Sequence, residues 1–212
     1  MLDKYIVPII KPPLRSAADR LAAKGITADQ TSCIGFTLGL LTIPLVAMGL
    51  SLLALVFLLI NRIADGIDGE LARLQEPTDA GGFLDITLDF VFYASFPIGF
   101  ALANPTVNAL PAAVLIASFV GTGSSFLAFS SMAEKQNIDH PDFAYKGFYY
   151  LNGLAEGTET IICFCLMCLF PNHFATIAWI FTIVCVITTI NRIYFGYRTL
   201  KPPAGKSSDI LQ

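Results

Sequence analysis

Four aspartates carry the chemistry that this sequence can do. Asp65 and Asp68 lie three residues apart, and Asp85 and Asp89 lie four apart. Both intervals return a helix to the same face, so each pair shares one face. A short loop, Leu74 to Ala80, separates the pairs, and apolar sequence flanks them on both sides. Counted inward from that loop, Asp68 and Asp85 are four or five residues deep and Asp65 and Asp89 about eight. At about 1.5 Å per residue the deeper pair sits roughly 12 Å inside a helical hairpin. Antiparallel arms would bring the four carboxylates to matching depths.

Such a quartet demands compensation. Each aspartate near the middle of a spanning helix costs roughly 2.5–3.5 kcal/mol on an insertion scale, and like charges that face each other add to it. Arg73 at the rim does not balance four acids. Two divalent cations would bring the formal charge to zero, and hard oxygen ligands without nearby Cys or His suit Mg2+ or Mn2+ rather than Zn2+. Gly66, Gly69 and Ala72 lie among the acids, and Gly81 and Gly82 open the second arm. Small side chains let a bulky ligand approach the backbone closely. Close to two metals, that ligand reads as a diphosphate, with Arg73 available to a phosphate oxygen.

The elements that position these residues follow from composition. The chain has 212 residues, 55% hydrophobic and 14% charged. A soluble domain carries about 25% charge, so a water-soluble fold, a disordered tail and a disulfide-stapled module are all excluded. Apolar runs of about twenty residues match a bilayer-crossing helix. The expected fold is all-α, with six spans at roughly 31–50, 51–73, 81–103, 110–133, 151–170 and 173–196. These segments are too long and too uniform for barrel strands. Breakers mark the joints at Gly49, Pro77, Asn104-Pro105, Pro141 and Pro171-Asn172. Threaded through that topology, all thirteen Lys and Arg fall at one end of the bundle. The opposite turns near Gly49, Asn104 and Asn172 hold no charged residue. The positive-inside rule makes the charged end, with both termini, cytoplasmic.

Residues 1–24 lack the apolar core of a secretory signal. Leu14, Ala17, Ala18 and Leu21 share one helical face, and Pro12-Pro13 suits a helix start just before Leu14. The segment reads as an amphipathic helix in the cytoplasmic interface. Residues 1–200 form one membrane domain, and 201–212 a flexible cytoplasmic tail.

Asp65-x-x-Asp68-Gly69-x-x-Ala72-Arg73, followed by Gly81-x-x-x-Asp85-x-x-x-Asp89, resembles the signature of the CDP-alcohol phosphotransferases, the CDP-alcohol phosphatidyltransferase family. Residues 26–32, Ile-Thr-Ala-Asp-Gln-Thr-Ser, resemble that family's opening of span one, usually Ile-Thr-Pro-Asn-x-Leu-Thr. Here Ala28 replaces Pro, Asp29 replaces Asn and Ser32 stands for Thr. Seven residues separate Arg73 from Gly81, where eight is commonest.

The resemblance implies a bacterial inner-membrane enzyme whose donor is a CDP-linked lipid, most often CDP-diacylglycerol. An alcohol attacks the β-phosphorus, a phosphodiester forms and CMP leaves. Carried over by position, Asp65, Asp68, Asp85 and Asp89 hold two Mg2+ or Mn2+ ions, and Asp89 is also the base for the acceptor hydroxyl. Asp29, Ser32, Gly69, Ala72, Arg73 and Gly81 border the CDP moiety. Homodimerisation is implied as well, and no nucleic-acid partner is expected.

The acceptor stays open. Lys135, Lys146 and Arg192 suit an acceptor phosphate, whereas Glu156 and Glu159, at i and i+3, suit a polyol or amine. Those glutamates could instead pair with Arg192 between helices. Gly121, Gly123, Ser124 and Ser125 serve packing or a dimer seam. Cys33, Cys163, Cys165, Cys168 and Cys185 read as buried hydrophobes. Two rival functions use the same residues: a cation transporter whose acids line a pore, and a catalytically idle relative acting as a membrane binding partner.

Overall fold

In the computed structural model, which describes residues 3–135 and 153–201, helix ends fall on local signals. Thr27 caps the second helix through a capping box, its Oγ1 accepting from Gln30 N while the Gln30 side chain accepts from Thr27 N. Pro44 has no N–H for the Leu40 carbonyl, and the first long apolar stretch breaks there into two helices. Gly25 and Gly49, at φ +76° and +78°, adopt left-handed turns just past helix ends. The described elements are α1 (Asp3–Ala22), α2 (Ala28–Leu40), α3 (Thr42–Ala47), α4 (Ser51–Gln75), α5 (Asp79–Ala103), α6 (Pro105–Lys135), α7 (Gly157–Leu169) and α8 (Phe174–Leu200), with a 3-10 turn at Pro171–His173. Among the described residues every regular element is helical.

Among the described residues, four stretches are long and apolar enough to cross a membrane: Ala28–Ala47, Asp79–Ala103, Pro105–Lys135 and Pro171–Leu200. Two expected spans differ. Helix α4 is long enough, but Arg62, Asp65, Asp68, Glu70 and Arg73 crowd its second half. Helix α7 has only 13 residues, about 20 Å at 1.5 Å each, short of a hydrocarbon core of about 30 Å. The extended backbone of Glu156 delays its start. The outward faces of α2, α4, α5, α6 and α8 carry exposed apolar side chains, among them Ile34, Leu52, Val91, Leu110, Val120 and Ile183, the pattern expected of a surface that meets lipid.

The first helix departs from expectation too. It begins at Asp3 and runs through Pro12-Pro13 rather than starting after them. Each proline forfeits one backbone hydrogen bond, but Ile9 to Pro13 are all exposed, where solvent or headgroups can take the freed carbonyls. The apolar face is as read: Ala18 is fully buried, and Leu14, Ala17 and Leu21 are half-buried. That face packs on α4, with Leu14 lying where a side chain on Gly66 would have to go, 2.7 Å away. Gly66 therefore admits α1, not a ligand.

Helix α2 packs against both α4 and α5, while α4 and α5 are not closely packed on each other. Gly35 sits so near α4 that a Cβ there would fall 2.6 Å from the Ala64 Cβ. Beyond the aspartates the interior is dry and aromatic: Phe96 stacks on Phe164 at 4.1 Å, and Phe100 on Phe174 at 4.4 Å. Cys163, Cys168 and Cys185 are buried in this bundle, Cys165 is half-buried, and Cys33 is exposed on α2, unlike the expectation for it. Gly121 and Gly123 face Thr189 and Phe90 inside the protomer, so neither is available to a dimer seam.

The α2–α4 approach gives a test. Gly35→Val should destabilise the fold by about 1–3 kcal/mol, the usual scale of overpacking, and lower the thermal midpoint in detergent. Gly82→Ala, with nothing within 4 Å of the added Cβ, should leave the midpoint unchanged.

Candidate functional site

Asp65 and Asp68 on α4 and Asp85 on α5 each turn a carboxylate oxygen to a common point, all within 4.8 Å of one another. The geometry follows from helix spacing on each arm and from α2, which holds the arms apart. Ser32 on α2 donates to Asp68 Oδ2 at 2.5 Å, fixing that carboxylate from the third side. Asp68 is buried, and Asp65 and Asp85 are half-buried.

Asp89 does not join that group of three. Its Oδ1 accepts from Arg62 Nη2 at 2.8 Å, and its Oδ2 lies 3.5 Å from the Tyr93 hydroxyl. Arg62 also reaches Asp65 Oδ2 at 3.6 Å and donates to Asn61 Oδ1 and to the Tyr93 hydroxyl. Buried Asn61 is in turn anchored to the Gly35 carbonyl. Arg62 lies near the middle of α4, beneath the carboxylates, and so is not one of the cations at the charged end of the bundle. It, with Tyr93, is what sequence reasoning missed. The signal was present: an arginine in mid-span needs a partner, and Arg62 stands three residues before Asp65 on the same face.

Two cavities meet here. The smaller, about 10 Å³, is lined by Asp65, Asp68, Asp85 and Asp89 together with Arg62 and Ser32. The larger, about 250 Å³, includes Asp29, Ser32, Gly69, Ala72 and Gly81 in its lining. Ser32, Asp68 and Asp85 border both. Gln75 draws the wall together: its Nε2 donates to the Ile26 carbonyl at 2.7 Å, and its Oε1 accepts from Ala28 N at 3.2 Å. The wall then turns at Glu76, whose φ of +70° is unusual for a residue with a Cβ.

Arg73 lies outside both linings and pairs with Glu70 one turn earlier on α4. Glu70 is buried, with Arg15 of α1 on its other side at 3.6 Å. Of the acceptor-side residues, exposed Lys135 ends α6, and Glu156, Glu159 and Arg192 also line neither cavity. Arg192 donates to the Thr122 carbonyl at 3.0 Å, stands over the Phe126 ring and lies within electrostatic reach of Glu156. That neighbourhood favours the interhelical pairing of Glu156 with Arg192. Lys146 lies outside the described residues.

The side-chain donors gathered at the smaller cavity are oxygens, chiefly four carboxylates, without Cys or His in either lining. That set suits a hard divalent cation such as Mg2+ or Mn2+. With Arg62 included, the cluster carries a formal charge of about −3 when every carboxylate is ionised, which one small cation leaves uncompensated.

Comparison with known proteins agrees with this reading. Residues 22–191 match the family model for CDP-alcohol phosphatidyltransferase. Inner membrane protein YnjF of Escherichia coli is 55% identical over 201 residues, 95% of this chain and 98% of the relative. Archaetidylinositol phosphate synthase of Pyrococcus horikoshii is 31% identical over 202 residues, 95% of this chain and 99% of the relative. The fold is shared with the Mycobacterium tuberculosis phosphatidylinositol phosphate synthase PgsA1, solved with CDP-DAG bound. That structure matches with a TM-score of 0.64 at 18% identity, covering 87% of this chain and 93% of the other. PgsA1 has also been solved in complex with manganese and citrate. From the aspartate signature, the helical membrane fold and these matches together, the chain belongs to the CDP-alcohol phosphatidyltransferase family.

Proposed function

We propose that this protein transfers a phosphatidyl group from a CDP-linked lipid, of the CDP-diacylglycerol class, to an alcohol in phospholipid synthesis, with release of CMP. The observation that carries the reading is the shared wall of the two cavities. A nucleotide in the larger cavity would present its diphosphate to Ser32, Asp68 and Asp85, and through them to the carboxylates of the smaller one. The crystal structure of PgsA1 with CDP-DAG bound supports the donor class on the same fold.

Asp65, Asp68 and Asp85, with Asp89 recruited to them, would hold two divalent ions, Mg2+ or Mn2+. Those ions would neutralise diphosphate charge and polarise the bonds to phosphorus. The chain's own residues do the rest. Ser32 holds Asp68 in orientation, and its loss disturbs the site without removing a ligand. Gly69, Ala72 and Gly81 keep their part of the larger cavity's wall free of bulky side chains, and Gln75 closes that wall across the α1–α2 link. Asp29 faces the same space. Arg73, tied to Glu70, would act on the donor only after leaving it. In the transfer, the acceptor oxygen bonds to the β-phosphorus as the bond to CMP breaks. The acceptor's proton passes to Asp89, since an alcohol's pKa far above 7 calls for a base.

Six spans remain our reading of the whole chain, with α4 crossing as a polar-lined helix and α7 belonging to the fifth span. Helix α1 would lie in the interface, and the positive-inside distribution would place the site and the termini in the cytoplasm. A homodimer would need a surface other than Gly121 and Gly123. A pore is disfavoured, because the stacked phenylalanines close the half of the bundle beyond Arg62.

Purified protein should release CMP from CDP-diacylglycerol in the presence of Mg2+ or Mn2+ and one alcohol from a panel of serine, glycerol, glycerol 3-phosphate, inositol phosphate and phosphatidylglycerol. Chelation should stop turnover, and no release with any acceptor would reject the reading. Ser32→Ala should lower activity or metal affinity by about 10- to 100-fold, as loss of an orienting partner does; unchanged values would remove Ser32 from the site. Glu156→Gln should leave the acceptor profile and the donor KM as they were, as expected of a partner of Arg192 outside both cavities. An altered profile would return Glu156 to the acceptor site.

A further inference from the structure

Arg62 is held from several sides. Its Nε donates to Asn61 Oδ1 at 2.8 Å, Nη1 donates to the Tyr93 hydroxyl at 3.0 Å, and its guanidinium carbon lies 5.3 Å from the ring centroids of both Phe92 and Tyr93. Few side chains are as thoroughly fixed, and the fork geometry of arginine uses every one of these contacts. Asp89 is the freer partner. It is half-buried, and besides Arg62 it has only the long 3.5 Å contact from Tyr93 among the hydrogen bonds described. The remaining three aspartates already converge without it. The cluster is therefore asymmetric: three carboxylates face one another, and the fourth makes the short 2.8 Å ion pair with Arg62, whose contact with Asp65 is the longer one at 3.6 Å.

On the reading of the site given above, we infer that Arg62 is a positioning residue that competes with the second divalent ion for Asp89, so that the site fills in order. The first ion is taken by Asp65, Asp68 and Asp85. A second ion recruits Asp89 against the guanidinium, whether the carboxylate leaves Arg62 or bridges the two, because a divalent ion and a guanidinium close to one carboxylate repel each other. The charge of Arg62 thus keeps the site from being strongly anionic before the second ion arrives. It also holds Asp89 beside Tyr93 and outside the group of three.

Manganese titration of the full chain in lipid nanodiscs, without CDP-lipid, tests this, with bound ion counted by the loss of the free-ion paramagnetic resonance signal. The wild type should bind in two unequal steps. Arg62→Gln should tighten the second step by about tenfold or more, the scale of coupling between close charge pairs, and Arg62→Lys should keep the steps apart. Asp89→Asn should preserve the first step and abolish the second, whereas Asp68→Asn should abolish the first. Two equal steps in the wild type would overturn the inference and leave the transferase reading standing, as would an Arg62→Gln isotherm identical to wild type. No manganese uptake by the wild type would overturn both. Should Arg62→Gln fail to fold, the aspartate pair decides: a first step lost in Asp89→Asn as fully as in Asp68→Asn overturns the ordered filling.

Discussion

Carboxylates inside an apolar bundle must be compensated from within it, and most of what is particular to this structure follows from that constraint. Arg62 offsets one charge through Asp89 and Asp65. Ser32 satisfies one oxygen of Asp68. The remaining deficit is the affinity for cations. Because an uncompensated charge in hydrocarbon costs several kcal/mol, the helices cannot close around the aspartates as they close elsewhere. Helices α4 and α5 stay apart where the acids lie, and α2 packs on both to hold the gap. Gly35 and Gly39 bring α2 close enough to do so, the former against Ala64 and the latter against Asn61 and Phe92.

The polar cleft belongs to one half of the bundle. Past Asn61 and Arg62 the interior changes from polar to aromatic over little more than one helical turn, with Phe92, Phe96, Phe100, Phe164 and Phe174 all buried. Aromatic rings bury large areas with little conformational freedom to lose. They supply a rigid floor against which Arg62 is set, with Phe92 and the neighbouring Tyr93 against its guanidinium. The polar half can then remain open to a ligand without loosening the whole bundle. Stability and accessibility are divided along the length of the same helices.

Much of this arrangement is written in local sequence. The i,i+3 and i,i+4 intervals give the facing acids, the Thr27-x-x-Gln30 box gives the start of α2, and the periodicity of Leu14, Ala17, Ala18 and Leu21 gives the face of α1 that is buried. What escaped was contact between residues remote in sequence. Gly66 looked like ligand space because its true neighbour, Leu14, lies 52 positions earlier on another helix. Arg62 looked like one more basic residue because its partner Asp89 is 27 positions away. Arg73 matched a phosphate contact by spacing, while the structure ties it to Glu70. Helix α7 was misjudged in length because hydropathy reports the composition of 151–170 and not where Glu156 lets helical geometry begin.

The Glu70 contacts show how far such remote pairing reaches. A buried carboxylate is costly unless charges and hydrogen bonds surround it. Glu70 has Arg15 on one side and Arg73 on the other, so α1 and the C-terminal turn of α4 are fixed to the same anion. Two turns of α4 thereby receive α1: Gly66 accepts Leu14 sterically, and Glu70 holds Arg15 electrostatically. From that docked helix the chain continues through Ile26, whose carbonyl Gln75 holds, into the cap of α2 that delivers Ser32 to Asp68. The amphipathic helix is thus part of the scaffold that places the third wall of the carboxylate site. A displacement of α1 would reach Asp68 through a chain of named contacts.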